Sequence, residues 1–195
     1  MQFTNAALLS VVSALAAAAP SPQASPAPQA VRAFAVLSQQ SGSSVHLANW
    51  GATQGAILAG INATVQNAPC DDGNLADKAT FNLRKDDGAL FLWQDKLEQR
   101  VWVDRGMGQG IVRYSANGGT QPSRQAELTG FEISNDQLLF KGQPFVACPN
   151  APGRGHTLFV NGTSARPSGR TDCFGFKAGV VFNDSPVSCN YTNSS

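Results

Sequence analysis

The sequence predicts an all-β domain: a single antiparallel barrel of trefoil-like design, with a β-sandwich as the alternative. Three observations predict it. From Arg32 onward the apolar residues fall in short runs broken by Gly, Asn and Asp, with no long helical periodicity. Glycine is frequent, at 19 of 195 residues, and supplies turns for many strands. A faint repeat is also present. Phe34-Ala-Val36, Phe81-Asn-Leu83 and Phe131-Glu-Ile133 each open an expected strand, at spacings of 47 and 50 residues. The second and third lead into Asp87-Gly-Ala-Leu-Phe-Leu92 and Asp136-Gln-Leu-Leu-Phe140. Three units of about 50 residues suit a threefold barrel.

In chain order, strands are expected at 34–38, 45–49, 80–84, 90–93, 100–104, 111–114, 128–133, 138–140, 145–147, 157–160 and 175–182. Asp86-Asp87-Gly88 is a turn signal between two of them. Helix is scarce, with one turn expected within 75–79.

Two segments precede this domain of residues 32–195. Residues 1–19 carry an apolar run over 6–18 that ends in small residues, which reads as a signal peptide cut after Ala18 or Ala19. The run is too short for a transmembrane span, which needs about 20 apolar residues. The polar end, Asn190 to Ser195, has no lipid-anchor tail, so no membrane anchor is expected. Residues 20–31 follow as a spacer or propeptide. Four prolines in Pro20–Ala30 exclude helix and central strand.

Charged residues are only 14% of the chain, and formal net charge is +1. That balance offers nothing to nucleic acid or to an anionic membrane. The four cysteines, Cys70, Cys148, Cys173 and Cys189, form an even set behind an export signal and predict two disulfides. Three pairings are open. Proximity in sequence favours Cys173–Cys189 as a clasp of the C-terminus, leaving Cys70–Cys148. No C-x-x-C or H-E-x-x-H spacing points to a metal, and no cofactor is expected. Five N-x-S/T sequons, at Asn62, Asn161, Asn183, Asn190 and Asn193, are glycan acceptor candidates, Asn62 and Asn161 foremost.

No complete catalytic constellation is visible. The two histidines, His46 and His156, lie 110 residues apart, and no G-x-S-x-G nucleophile elbow occurs. Glu98, Asp104, Glu127 and Glu132 are the carboxylates available for a glycosidase pair, and their spacing singles out none. Gly106-Met-Gly-Gln-Gly110 lacks the spacing and the following helix of a nucleotide loop and reads as a bend between strands. Asp71-Asp72-Gly73 reads as a turn, without EF-hand spacing behind it. The chain is therefore expected not to be an enzyme.

The tryptophans raise the surface question. Pairing Gln94 with Val101 in a hairpin places Trp93 opposite Trp102, with Phe91 on the same face. Trp50, Trp93 and Trp102 are the candidates for stacking on sugar rings, against the more ordinary role of filling the core.

The stretch Gln99-Arg-Val-Trp-Val-Asp-Arg-Gly-Met-Gly-Gln-Gly-Ile-Val-Arg-Tyr-Ser115 resembles the strand and glycine bend of fungal PhiA-type cell-wall proteins. Phe34-Ala-Val-Leu-Ser38 with Ser44-Val-His-Leu47 is similar to their mature N-terminal strand. Phe145-Val-Ala-Cys-Pro149 and Cys173-Phe-Gly-Phe-Lys-Ala178 resemble their C-terminal cysteine segments, and Met1-Gln-Phe-Thr-Asn5 their signal opening. The likeness spans most of residues 32–180 and departs at Ala68-Pro-Cys-Asp-Asp72. It implies a secreted, wall-associated glycoprotein of the conidium-bearing stage, with no catalytic residues to carry over; wall polysaccharide, bound through the aromatic residues, is the expected partner. The alternatives are an elicitor or allergen-like protein acting by protein binding, and a small secreted hydrolase.

Overall fold

The computed structural model describes residues 32–94, 99–115, 120–149 and 151–191. The export segment, the spacer to residue 31, Glu98 and Asn193 lie outside the described residues. Thirteen strands join in one sheet, and every pairing in it is antiparallel. They are β1 (Ala33–Gln39), β2 (Trp50–Thr53), β3 (Ala56–Ala59), β4 (Phe81–Arg84), β5 (Ala89–Leu92), β6 (Arg100–Asp104) and β7 (Ile111–Tyr114). There follow β8 (Ala126–Glu127), β9 (Phe131–Ser134), β10 (Gln137–Phe140), β11 (Phe145–Cys148), β12 (His156–Val160) and β13 (Phe174–Asn183). The all-β expectation holds.

Turn chemistry explains the hairpins. Gln54-Gly55 (β2–β3) and Asn135-Asp136 (β9–β10) each place two consecutive residues at positive φ, as does Lys141-Gly142 in the tight turn closed by the Phe140–Gln143 bridge. That is the primed geometry whose twist matches the flanking strands. The Asp86-Asp87-Gly88 signal falls between β4 and β5, as expected, with Gly88 at φ +70°.

The outermost strands in sequence meet. β1 pairs over its whole length with β13, from Ala33↔Asn183 to Gln39↔Lys177, and on its other side with β4. Neither partner of this long ladder is left with an open edge there. Inside, Trp50 is 1% exposed and sets its ring edge-on to Phe81, Phe145 and Phe176, at centroid distances of 6.2, 5.1 and 6.1 Å. Such edge-to-face contacts add to area burial. The Trp50 indole N–H is satisfied by Ser38 Oγ at 3.1 Å. Phe34 and Phe81, two of the repeated phenylalanines, are direct cross-strand partners.

Three local expectations are corrected. Residues 45–49 do not form a strand: Leu47 turns into the left-handed region (φ 59°), and Val45 plugs the core from a loop. The hairpin β2–β3 takes that place, around a turn whose first residue is Gln54 rather than Gly, Asn or Asp. The strand expected over 128–133 begins only at Phe131, because Gly130 (φ +111°) breaks the chain direction. No helix forms over 75–79. The one α-turn among the described residues, α1 (Ala63–Gln66), lies earlier, where Asn62 Oδ1 accepts the Val65 N–H at 2.9 Å as an N-cap.

Candidate functional site

Both disulfides form, with a pairing that differs from the expected one: Cys70–Cys189 and Cys148–Cys173, spanning 119 and 25 residues. Sequence proximity misled because the long β1–β13 ladder carries the tail back across the start of the domain. Cys189 thereby arrives beside Cys70, where the two residues also form a β-bridge.

The tail is fastened at several points. Tyr191 is fully buried, and its hydroxyl accepts the Thr80 N–H at 3.0 Å. Gln99 accepts the Tyr191 N–H at 3.0 Å and donates to the Tyr191 carbonyl. Gln94 donates to the Cys189 carbonyl at 3.0 Å. Asp71 N–H and Asn190 N–H add bonds to Ser188 and Pro69 carbonyls. Burial pushes the Tyr191 phenol up to about 12.

This fastening shapes a surface cleft of about 170 Å³ beside the Cys70–Cys189 bridge. Three segments build it: the loop from Cys70 to Thr80, the end of β13 and the tail. Its polar residues are Asp72 and Asp77, Asn74 and Asn183, Ser185, Thr80 and Lys78. Its apolar surface comes from Leu75, Val187 and the disulfide itself, and Leu75 and Val187 are 46% and 38% exposed. Asp72 is positioned by an Asx turn, its Oδ1 accepting the Asn74 N–H at 3.0 Å, and this bond holds its carboxyl below the usual range. Asn183 Oδ1 accepts the Ser185 N–H at 3.0 Å. Asp77 is paired with Lys78 at 3.0 Å. Nothing in the linear sequence unites these groups, since the cleft depends on the Cys70–Cys189 pairing.

The aromatic candidates are not assembled into a row. Phe91 pairs with Arg100 and Leu90 with Val101, so the β5–β6 register differs by four residues from the expected one. Trp102 faces Arg113 on the β7 side, and on the β5 side the register no longer sets it opposite Trp93. The shift is even, so the faces are preserved, and the side chains of Gln94 and Gln99 bond to the tail. Trp50 and Trp102 are 1% and 2% exposed, and Trp93 is half-buried. The Trp93 N–H donates to the carbonyl of Thr80, a residue of the cleft wall, at 2.7 Å.

The titratable candidates serve local structure. His156 is 7% exposed, bonded through Nε2 to Ser44 Oγ at 2.8 Å and set edge-on against Phe174. Burial lowers its pKa, outweighing the Ala59 backbone contact that favours the charged form. His46 is exposed. Asp104 Oδ1 accepts the Gly106 N–H at 3.0 Å, Glu127 pairs with Arg105 and Lys141 at 3.3 and 2.9 Å, and Glu132 accepts the Gly142 N–H at 2.7 Å. Among the described residues no three His, Cys, Asp or Glu side chains gather as a metal site. No helix among them is long and apolar enough to cross a membrane.

Of the sequons, Asn62, Asn161 and Asn190 are exposed and Asn183 is half-buried at the cleft. Asn62 and Asn161 use only Oδ1 in their turns, accepting from Val65 and Gly162 N–H.

The family described as PhiA-like secreted protein matches residues 34–192. The chain is 34% identical over 195 residues to the cell wall protein phiA of Emericella nidulans, covering 99% of this chain and 100% of that protein. It is 38% identical over 186 residues to the cell wall protein phiA of Aspergillus fumigatus, covering 93% and 96%. It is 39% identical over 166 residues to that of Aspergillus niger, covering 83% and 86%. No solved structure matches significantly. With the family spanning the whole described β-domain and the relatives running nearly end to end, the chain belongs to the PhiA-like secreted proteins, secreted and located in the fungal cell wall.

Proposed function

We propose that this protein is a non-enzymatic wall glycoprotein, retained by its folded domain through wall polysaccharide and acting in wall and conidial development. The observation that carries this reading is the cleft beside Cys70–Cys189. Carboxylate, amide and hydroxyl groups there surround apolar surface, the mixed lining a polyol ring requires. Trp93 is half-buried, with its backbone N–H bonded to the carbonyl of the wall residue Thr80, and is the tryptophan that remains for stacking. The organisation proposed is an export segment over 1–19, a spacer over 20–31 and one domain over 32–195, with Asn62 and Asn161 as glycan acceptors.

The domain itself is proposed to be a closed trefoil-like barrel. Its ring would run β1, β4, β5, β9, β10, β13 and back to β1. The ladders β1–β4, β4–β5, β9–β10, β10–β13 and β13–β1 support this order. Gly88 O, accepting from Gly130 and Phe131 N–H, links the β5 and β9 sides. Three hairpins, β2–β3, β6–β7 and β11–β12, would cap one end, and the pairings β3–β7, β3–β12 and β7–β12 tie them to one another. A refined crystal structure in which those six strands do not close would remove this architecture.

The functional test is cosedimentation of the purified protein with insoluble wall glucan and chitin. Wild type is expected in the pellet, with Asn74→Ala/Ser185→Ala and Trp93→Ala shifted to the supernatant while their thermal melts stay near wild type. Wild type remaining wholly in the supernatant would reject polysaccharide retention.

A further inference from the structure

We infer that the cleft beside Cys70–Cys189 selects amine-bearing sugar units, the glucosamine residues of partly deacetylated chitin, over neutral hexoses and acetylated units. The inference rests on the polysaccharide-binding reading above and adds its chemical preference.

The charge inventory around the cleft points this way. Asp72 stands on the wall without an ion-pair partner among the described residues, and its neighbour Asp71 is exposed. The one ammonium on the wall among the described residues, that of Lys78, is held by both carboxylate oxygens of Asp77 at 3.0 Å. The nearby Asp184 is matched by Arg32 at 3.5 Å. Once the matched pairs cancel, the cleft carries net negative charge, concentrated at Asp72. The Asn74 N–H keeps the Asp72 carboxyl ionised into mild acid, where a sugar amine is protonated. An anionic ligand meets repulsion here; a neutral sugar offers the carboxylate only hydroxyl donors, whereas an ammonium adds a charge-assisted bond of roughly twice the strength. A glucosamine unit brings an ammonium to Asp72 and ring hydroxyls to the Asn74 and Asn183 amides and Ser185. The carbon face of its ring covers Leu75 and Val187. A cleft of about 170 Å³ has room for one such unit. The attraction is local, because the whole chain carries a formal charge of +1 and offers no general pull on a polycation.

The experiment is calorimetric titration of the full-length secreted protein, in mildly acidic buffer, with three soluble probes: the glucosamine trimer, the N-acetylglucosamine trimer and the β-1,3-glucose trimer. Asp72→Asn is the informative variant, since its amide oxygen can still accept the Asn74 N–H and keep the turn. The expected result is tightest binding of the glucosamine trimer. Asp72→Asn should weaken that probe by about threefold or more and leave the neutral probes within error, in line with a partly exposed ion pair. Asp77→Asn, which unmasks Lys78, should weaken the same probe as a second check. Equal affinity for all three trimers, or no loss in either variant, would overturn the amine preference while leaving polysaccharide binding standing. No binding of any trimer, together with no cosedimentation on wall polymers, would overturn both.

Discussion

Trp50 shows how the same residue type changes role with its surroundings. Its ring is enclosed by three phenylalanines and its N–H is bonded to Ser38, so nothing of it remains for a sugar. Trp50→Ala should cost about 3–5 kcal/mol of unfolding free energy, the range for emptying an aromatic core site. Urea denaturation reads this directly, and an unchanged midpoint would show that the indole is not core. Gln66 is a second buried device. Its side chain accepts the Ala52 N–H and donates to the Ala76 carbonyl, tying the β2 strand to the loop after Ala68. His156 adds a pH dependence. Its folded pKa lies below the unfolded value of about 6.5, so the unfolded chain binds its proton more readily. The stability held by neutral His156 is therefore present above that unfolded value and drains as pH falls below it. His156→Gln should flatten the fall in urea midpoint between pH 7.5 and 5. Asp87, held down to about 2 by Arg84, loses its contribution only below the ordinary carboxylate range and leaves that window undisturbed. A slope unchanged in His156→Gln would place the acid sensitivity elsewhere.

Among the elements, the two disulfides divide the labour unequally. Cys70–Cys189 closes a loop of 119 residues and anchors the tail, whereas Cys148–Cys173 closes one of 25 and staples β11 to the approach of β13. On the chain-entropy view the longer loop is worth about 4–5 kcal/mol and the shorter about 3–4. The double variant Cys70→Ser/Cys189→Ser should therefore unfold at lower denaturant than Cys148→Ser/Cys173→Ser. It should also lose the cleft and with it polysaccharide binding. The reverse ranking of midpoints would mean that the tail is held mainly by its hydrogen bonds. The close fit of hairpin and helix gives a comparable constraint. A methyl group added at Gly51 would meet Ile61 at 2.5 Å and Gln66 Oε1 at 2.6 Å. A glycine is needed at Gly51 because α1 approaches the strand closely, rather than for any special φ.

Across the described β-domain, the β1–β13 ladder and the buried tail join the first and last parts of the fold. Local opening at either end breaks contacts at the other, which predicts a single cooperative transition. Tryptophan fluorescence and far-UV circular dichroism should give superimposable urea curves. Separate midpoints would show that the tail region melts on its own.

How much of this was legible in sequence depends on the range of the interaction. Nine of the eleven expected strands were found close to their places, because short apolar runs between turn residues are a local signal. The hairpin around Gln54 was missed because its first turn residue carries no turn signature, and α1 because four residues are too few to show a period. An all-β chain with two disulfides is what the sequence by itself determined, since β-patterning and an even cysteine set behind an expected export signal need no knowledge of distant neighbours. The tertiary structure alone decided which cysteines pair, which tryptophans are buried and which polar groups share a cleft. Those depend on residues 111 and 119 positions apart, Thr80 with Tyr191 and Cys70 with Cys189, being carried together by the β1–β13 ladder. Spacing along the chain holds no record of that closure.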